Sequence, residues 1–232
     1  MTLFPLPIDF LLEHATLVTM DAQRRVIKDG ALAIKDSRIV WLGAASEVPE
    51  HFVAAQRLDL TGKVAAPGMV NAHGHMAMTL FRGLVDDRPL EAWLQTIWKV
   101  EGVYTSPANV AAGARLAMIE MIRGGTTCAA DMYWQFRHTT EAARQAGFRL
   151  VNGPSFTDIK GFQGQKAVEY ASAIEYLDHY RGDPLVQLCV QTHSTYTTNP
   201  QMMEDARRLS EERGLIFITH ASESRAELVT VK

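Results

Sequence analysis

A chain of 232 residues with 47% hydrophobic side chains is long enough to bury a sizeable core, as one large domain or as a small domain with part of a larger one. A net charge of -3 gives no electrostatic ground for a nucleic-acid or anionic-membrane partner, and a small-molecule substrate is the expectation. The two cysteines, Cys128 and Cys189, lie too far apart in sequence for a Cys-x-x-Cys site, and no apolar run reaches spanning length, so a disulfide framework and membrane insertion are not expected and a reducing cytoplasm fits best.

In chain order, the first 63 residues read as a small N-terminal β unit of sandwich type. Its strands are expected at Thr16–Met20, Ala31–Lys35 and Arg38–Gly43, with a turn at Asp36-Ser37, and at Leu58-Asp59-Leu60 before the Thr61-Gly62 turn. The start, from Met1 to Asp9, is apolar, is broken by Pro5 and Pro7, and carries no basic leader. From Val64 the pattern changes to strands alternating with amphipathic helices, the signature of parallel βα units. Strands are predicted at 65–71, 126–132, 148–155, 185–191 and 215–219. Ser106-Pro107 opens one helix, which stops at Gly124-Gly125, and Asn199-Pro200 opens another, closed by Gly214. Tyr170, Ile174 and Leu177 form the apolar stripe of a third. Five such units predict an α/β fold, an incomplete (β/α)8 barrel over residues 64–232, since a complete barrel takes roughly 250 residues.

The chemistry concentrates at strand ends. His73 and His75 are two positions apart in an extended segment, so their side chains point the same way, as two nitrogen ligands of one metal ion would. His220 ends a second apolar strand, and Glu223 follows three residues later, a carboxylate placed to handle protons beside that ion. The residues thus read as a metal-dependent hydrolase. Leu90, Leu94 and Ile97 set a helical stripe on which Glu101 is the next position; it either faces inward or lies in a solvated loop beyond the helix end. His193, flanked by Thr192, Ser194 and Thr195, is either a substrate contact or a histidine satisfied by local hydroxyls. Asp131 is read as structural, bonding loop amides, and Met76 and Met78 as pocket wall. His14, His51, His138 and His179 are expected at the surface.

With Pro67-Gly68-Met69-Val70-Asn71-Ala72-His73-Gly74-His75, Met78-Thr79-Leu80-Phe81-Arg82-Gly83, Gly124-Gly125-Thr126-Thr127-Cys128-Ala129-Ala130-Asp131 and His220-Ala221-Ser222-Glu223 in this order, the chain resembles the amidohydrolase superfamily. Within it the likeness is to methylthioadenosine/S-adenosylhomocysteine deaminases and related guanine, cytosine and triazine hydrolases. The resemblance implies that His73, His75 and His220 bind one divalent metal ion, Zn2+ before Fe2+ or Mn2+, and that Glu223 shuttles protons. It implies that His193 contacts the substrate ring and Glu101 the ribose hydroxyls of an aminopurine or adenosine-type substrate. Two features of that family have no counterpart here, a histidine on the sixth strand and a metal-binding aspartate on the eighth, and the stretch Phe156-Thr157-Asp158 lacks an arginine found near the third strand of the adenosylhomocysteine enzymes. The expectation is therefore a hydrolytic deaminase of which this is the N-terminal part. The alternative is an incompetent chain that needs its other half or a partner; homo-oligomer formation is left open.

Overall fold

The computed structural model describes residues 4–158 and 170–230. Met1–Leu3, from the apolar start, and the last two residues lie outside the described residues. Contacts divide the chain into two compact units, Met1–Gly68 and Met69–Lys232.

The first unit is a five-stranded mixed sheet built from β1 (Leu6–Val18), β2 (Val26–Lys35), β3 (Arg38–Ala44), β4 (Phe52–Asp59) and β5 (Val64–Ala65). Its order is β3-β2-β1-β4, with β5 also on β1. β1 and β2 are antiparallel, as are β2 and β3, whereas β4 and β5 run parallel to β1. Asp36 and Ser37 turn the β2–β3 hairpin with φ of 50° and 59°, the left-handed pair that matches strand twist. Ile8, Leu11, Ala31 and Ala33 form the core.

Several strand assignments need correction: β2 and β4 begin five and six residues before the expected strands, and the strand expected over 148–155 is two short ones, Arg149–Asn152 and Ser155–Phe156. β1 starts at Leu6, ten residues before the predicted strand, because Pro7 falls near its beginning, where a missing amide does little damage to the ladder. The strand predicted over 65–71 is two elements: Val64 and Ala65 pair with Thr16 and Leu17 in the first unit, and the barrel-type strand starts only at Met69.

The second unit is α/β. Its strands are β6 (Met69–Gly74), β7 (Thr126–Asp131), β8 (Arg149–Asn152), β9 (Ser155–Phe156), β10 (Val186–Ser194) and β11 (Ile216–His220). All pair in parallel, in the order β11-β10-β8-β7-β6, with β9 beside β10. The helices between them are α1 (Leu90–Tyr104), α2 (Pro107–Arg123), α3 (Phe136–Ala146), α4 (Tyr170–His179) and α5 (Pro200–Arg213), and α6 (Glu227–Thr230) follows β11. Sequential parallel strands joined by helices form an arc of a (β/α)8 barrel. The caps are where the sequence places them: Ser106 accepts from the Asn109 amide at 3.2 Å, Asn199 from the Met202 amide at 2.9 Å, and Gly214 ends α5 with φ of 63°. Two buried clusters hold helices to sheet. One joins α2 and α3 to β7 and β8 through Ala114, Met118, Ala143 and Leu150, and the other joins α4 and α5 to β10 through Tyr176, Leu177, Val190 and Leu209.

Gly153 lies between β8 and β9, where the chain passes so close to β10 that a Cβ atom would stand 1.7 Å from the Cys189 carbonyl oxygen. Backbone cannot yield to backbone without breaking the β8–β10 ladder. Gly153→Ala should therefore cost about 3 kcal/mol, seen as a fall in Tm of roughly 6–12 °C by differential scanning calorimetry.

Candidate metal centre

β6 and β11 are the two ends of the sheet order. Were the sheet flat, four strand spacings would put them about 19 Å apart. Instead the Nε2 atoms of His73, on β6, and His220, the last residue of β11, are 3.0 Å apart. His75 completes the group: ring centroids lie 4.9 Å apart for His73 and His75, 4.8 Å for His73 and His220, and 5.2 Å for His75 and His220. One nitrogen from each of the three lies within 4.8 Å of the other two. The ladders slip where these side chains are aimed, between Asn71 and Gly74 on β6 and between Gln191 and Ser194 on β10. Such irregularities bend a strand and re-aim its residues.

The donors suit a cation. His75 Nδ1 is hydrogen-bonded to the Met132 carbonyl, which fixes the tautomer and leaves the Nε2 lone pair outward. Nitrogen ligands 2.0–2.1 Å from a tetrahedral zinc ion stand roughly 3.3 Å from one another, close to the spacing of the His73–His220 pair. Burial pushes His75 down to about 4, with the neighbouring His220 and His73 rings acting in the same sense. His73 is lowered by burial and by His220, against the opposing pull of Glu223. Neutral imidazole is the ligating form. His220 Nδ1 is buried without a hydrogen-bond partner among the described residues.

A cavity open to solvent lies beside these rings. One wall is apolar, from Met78, Leu90, Trp93, Leu94 and Trp98, while His75, His193, His220, Glu101 and Glu223 bring polar groups to it. Glu101 settles in the inward orientation: it lies in α1, is 3% exposed, and accepts a 2.6 Å bond from the Tyr133 hydroxyl, with the Trp134 indole N–H at 3.5 Å. Burial raises its carboxyl above the usual range, and the two donors only partly offset this. His193 is the penultimate residue of β10; its ring stacks on Trp134 at 5.6 Å and stands 5.1 Å from His220. The Thr197 hydroxyl bridges His193 Nδ1, at 2.7 Å, and the Ser194 hydroxyl, at 2.6 Å. Burial, with the His220 and His75 rings, pushes His193 down to about 3. Glu223 is exposed on the β11–α6 loop, where the Tyr196 hydroxyl donates to its Oε2 at 2.8 Å.

Asp131 is buried, and its Oδ1 accepts from the Met76 amide at 2.6 Å, holding the turn that follows His75; burial raises its carboxyl to about 7. Met78 lines the cavity, but Met76 does not: it packs in the core with residues of α2 and β7. Of the histidines expected at the surface, His14 and His179 are exposed, and His51 and His138 are half-buried. Several residues of the site went unnoticed in the sequence: Tyr133, Trp134, Tyr196 and Glu227. For Glu227 a signal existed, the Ser224-x-x-Glu227 spacing of a capping box.

A family model described as the amidohydrolase family matches residues 64–232, and the chain belongs to that family. A 5-methylthioadenosine/S-adenosylhomocysteine deaminase of Nitratidesulfovibrio vulgaris (strain DSM 19637 / Miyazaki F) is 38% identical over 229 residues, 95% of this chain and 50% of that one. A protein of the same description from Syntrophobacter fumaroxidans is 37% identical, over 96% of this chain and 51% of its own. The chain thus spans about half the length of the curated relatives it matches. The crystal structure of an adenosine deaminase from Xanthomonas campestris with bound zinc superposes with a TM-score of 0.90 at 34% identity, covering 97% of this chain and 52% of that one. E. coli guanine deaminase, at 22% identity and a TM-score of 0.74, covers 97% of this chain and 55% of its own and shares the fold. Among the described residues, no helix is long and apolar enough to cross a membrane.

The buried neutral histidines make stability depend on pH. His75 and His193 titrate near 6.5 when unfolded but far lower when folded, so between about 6.5 and about 4 the unfolded chain holds more protons and acid favours it. Asp131 and Glu101, whose carboxyls are raised on folding, oppose this by holding protons in the folded state, so the histidine share is read as a difference: from pH 7 to pH 5 the urea midpoint of metal-free wild type should move down relative to that of His193→Gln.

Proposed function

We propose that the chain serves in hydrolytic deamination, a metal-dependent reaction on carbon–nitrogen bonds other than peptide bonds, with an aminopurine or adenosine-type heterocycle as substrate. The convergence of His73, His75 and His220 beside a cavity that Glu223 also lines carries this reading. The names of the deaminase relatives support it. One divalent ion, Zn2+ before Fe2+ or Mn2+, would be held by the three histidines and would supply the Lewis acidity that makes water a nucleophile near neutral pH.

The chain's own groups do the rest. Glu223 holds a proton on its carboxylate and delivers it to the ring nitrogen next to the carbon that loses ammonia, then assists the departure of the amine. Tyr196 occupies Oε2 of Glu223, which leaves Oε1 to carry that proton. His193, stacked on Trp134, meets the heterocycle's edge, and the apolar wall with Trp93 and Trp98 covers its faces and excludes water. Glu101 has lone pairs left after its bonds to Tyr133 and Trp134, and these accept the hydroxyls of an attached sugar. A cytoplasmic setting suits the two free thiols, Cys128 and Cys189.

A second reading concerns completeness. Met69 and Val70 on β6 and Ile216 on β11 are exposed apolar residues on the end strands of the sheet, the pattern of edges that pair with further strands. On that reading the 232 residues turn over substrate only together with additional chain.

Ammonia release from adenosine-type nucleosides by the natural gene product, loaded with zinc, is the direct test. Glu223→Gln should lower kcat by about 10²–10⁴-fold, and unchanged turnover would remove the proton-shuttle role. Competition with a chromophoric chelator should show zinc affinity more than about 100-fold weaker in His220→Ala, a larger loss than outer-shell changes produce.

A further inference from the structure

Glu227 is a carboxylate with little solvent exposure, one turn beyond Glu223, and it bonds back to the loop that presents Glu223. Its Oε2 accepts from the Glu223 amide at 2.7 Å. The amides of Ser222 and Ser224 also donate to the carboxylate. The Glu227 amide in turn donates to the Ser224 hydroxyl at 3.3 Å, so the two residues satisfy each other reciprocally as in a capping box. Oε1 is engaged from elsewhere, by the hydroxyl of Thr195, two residues after His193. Ser222, in the middle of the loop, has φ of 59°, a left-handed conformation uncommon for a residue with a side chain and in need of outside support.

We propose that Glu227 is a positioning residue: its carboxylate ties the Ser222–Ser224 amides to the end of β10 and so fixes where the Glu223 carboxylate stands relative to His193 and His220. This rests on the proton-transfer role proposed for Glu223. Nothing but a carboxylate serves all the donors at once, because an amide side chain offers one acceptor atom where they need two. The Tyr196 hydroxyl, which arises from the same β10–α5 connection as Thr195, reaches the Glu223 side chain while Thr195 reaches its backbone through Glu227. Backbone and side chain of the proton carrier are thus held from a single neighbouring loop.

Amide hydrogen exchange over residues 221–226 and steady-state kinetics on the zinc-loaded protein, for Glu227→Ala and Glu227→Gln, test the proposal. In Glu227→Ala the Ser222–Ser224 amides should exchange about tenfold faster or more. Its kcat should fall about 10²-fold with KM and zinc content near wild type, the mark of a misplaced group rather than lost binding. Glu227→Gln, which keeps the shape and one acceptor, should restore part of both. A folded alanine variant whose amides exchange as in wild type overturns the clamp, and faster exchange with unchanged kcat overturns the positioning role. If wild type releases no ammonia, the deaminase reading fails and the exchange result alone upholds or overturns the clamp. Should the alanine variant not fold, Thr195→Val, which removes one donor, should show the same changes at smaller size, and wild-type exchange and kcat in it would overturn the proposal.

Discussion

The curl of one parallel sheet is the constraint on which the candidate site depends. His73 and His220 belong to strands separated by three others, and no local preference of either segment brings them together. Curvature does so, and it is set by the right-handed twist of parallel strands, by helices that pack on the outer face, and by local slips of register near the ends of β6 and β10. Gly153 belongs to this account: where its backbone lies against the Cys189 carbonyl, β8 gives way to β9 and the sheet closes up beside β10.

Burial then decides the electrostatics. The imidazoles of His73, His75 and His220 stand against one another and His193 joins them through His220, and a protonated cluster of that kind would repel itself. Low solvent access keeps His75 and His193 neutral, so that lone pairs rather than charges face inward. The acidic groups are divided by environment. Glu101 and Asp131 are buried and raised, bonded to a hydroxyl and an amide, whereas Glu223 lies at the exposed rim.

Much of this was legible in the residues. Spacing alone aligned His73 with His75, helix periodicity put Glu101 on the face of Leu94 and Ile97, and Ser106, Asn199 and Gly214 marked helix ends through the geometry of unsatisfied amides and left-handed caps. What was hidden has physical reasons. A short apolar run such as Val64–Val70 does not say which sheet it joins, and Ala65 belongs beside β1 rather than to the strand that begins at Met69. The prolines at the start masked the first half of β1, since a sequence does not show which amides a ladder needs. The convergence on Glu227 joins residues up to 32 positions apart through main-chain donors, which leave no trace in side-chain pattern. Met76 lies in the core beside α2 and β7, and its place there depends on strands that the local sequence does not show.

The bridge made by Thr197 has a consequence for the His193 ring that lines the cavity. Its hydroxyl stands between Ser194 and His193, and either Ser194 or Thr197 can be the donor in their contact. When Thr197 gives its hydrogen to Nδ1, the far nitrogen of His193 carries the ring proton; when Thr197 receives from Nδ1, that far nitrogen is bare. A tautomer change of the ring, accompanied by rotation of the Thr197 hydroxyl, thus exchanges donor for acceptor at the far nitrogen of His193 without moving a heavy atom.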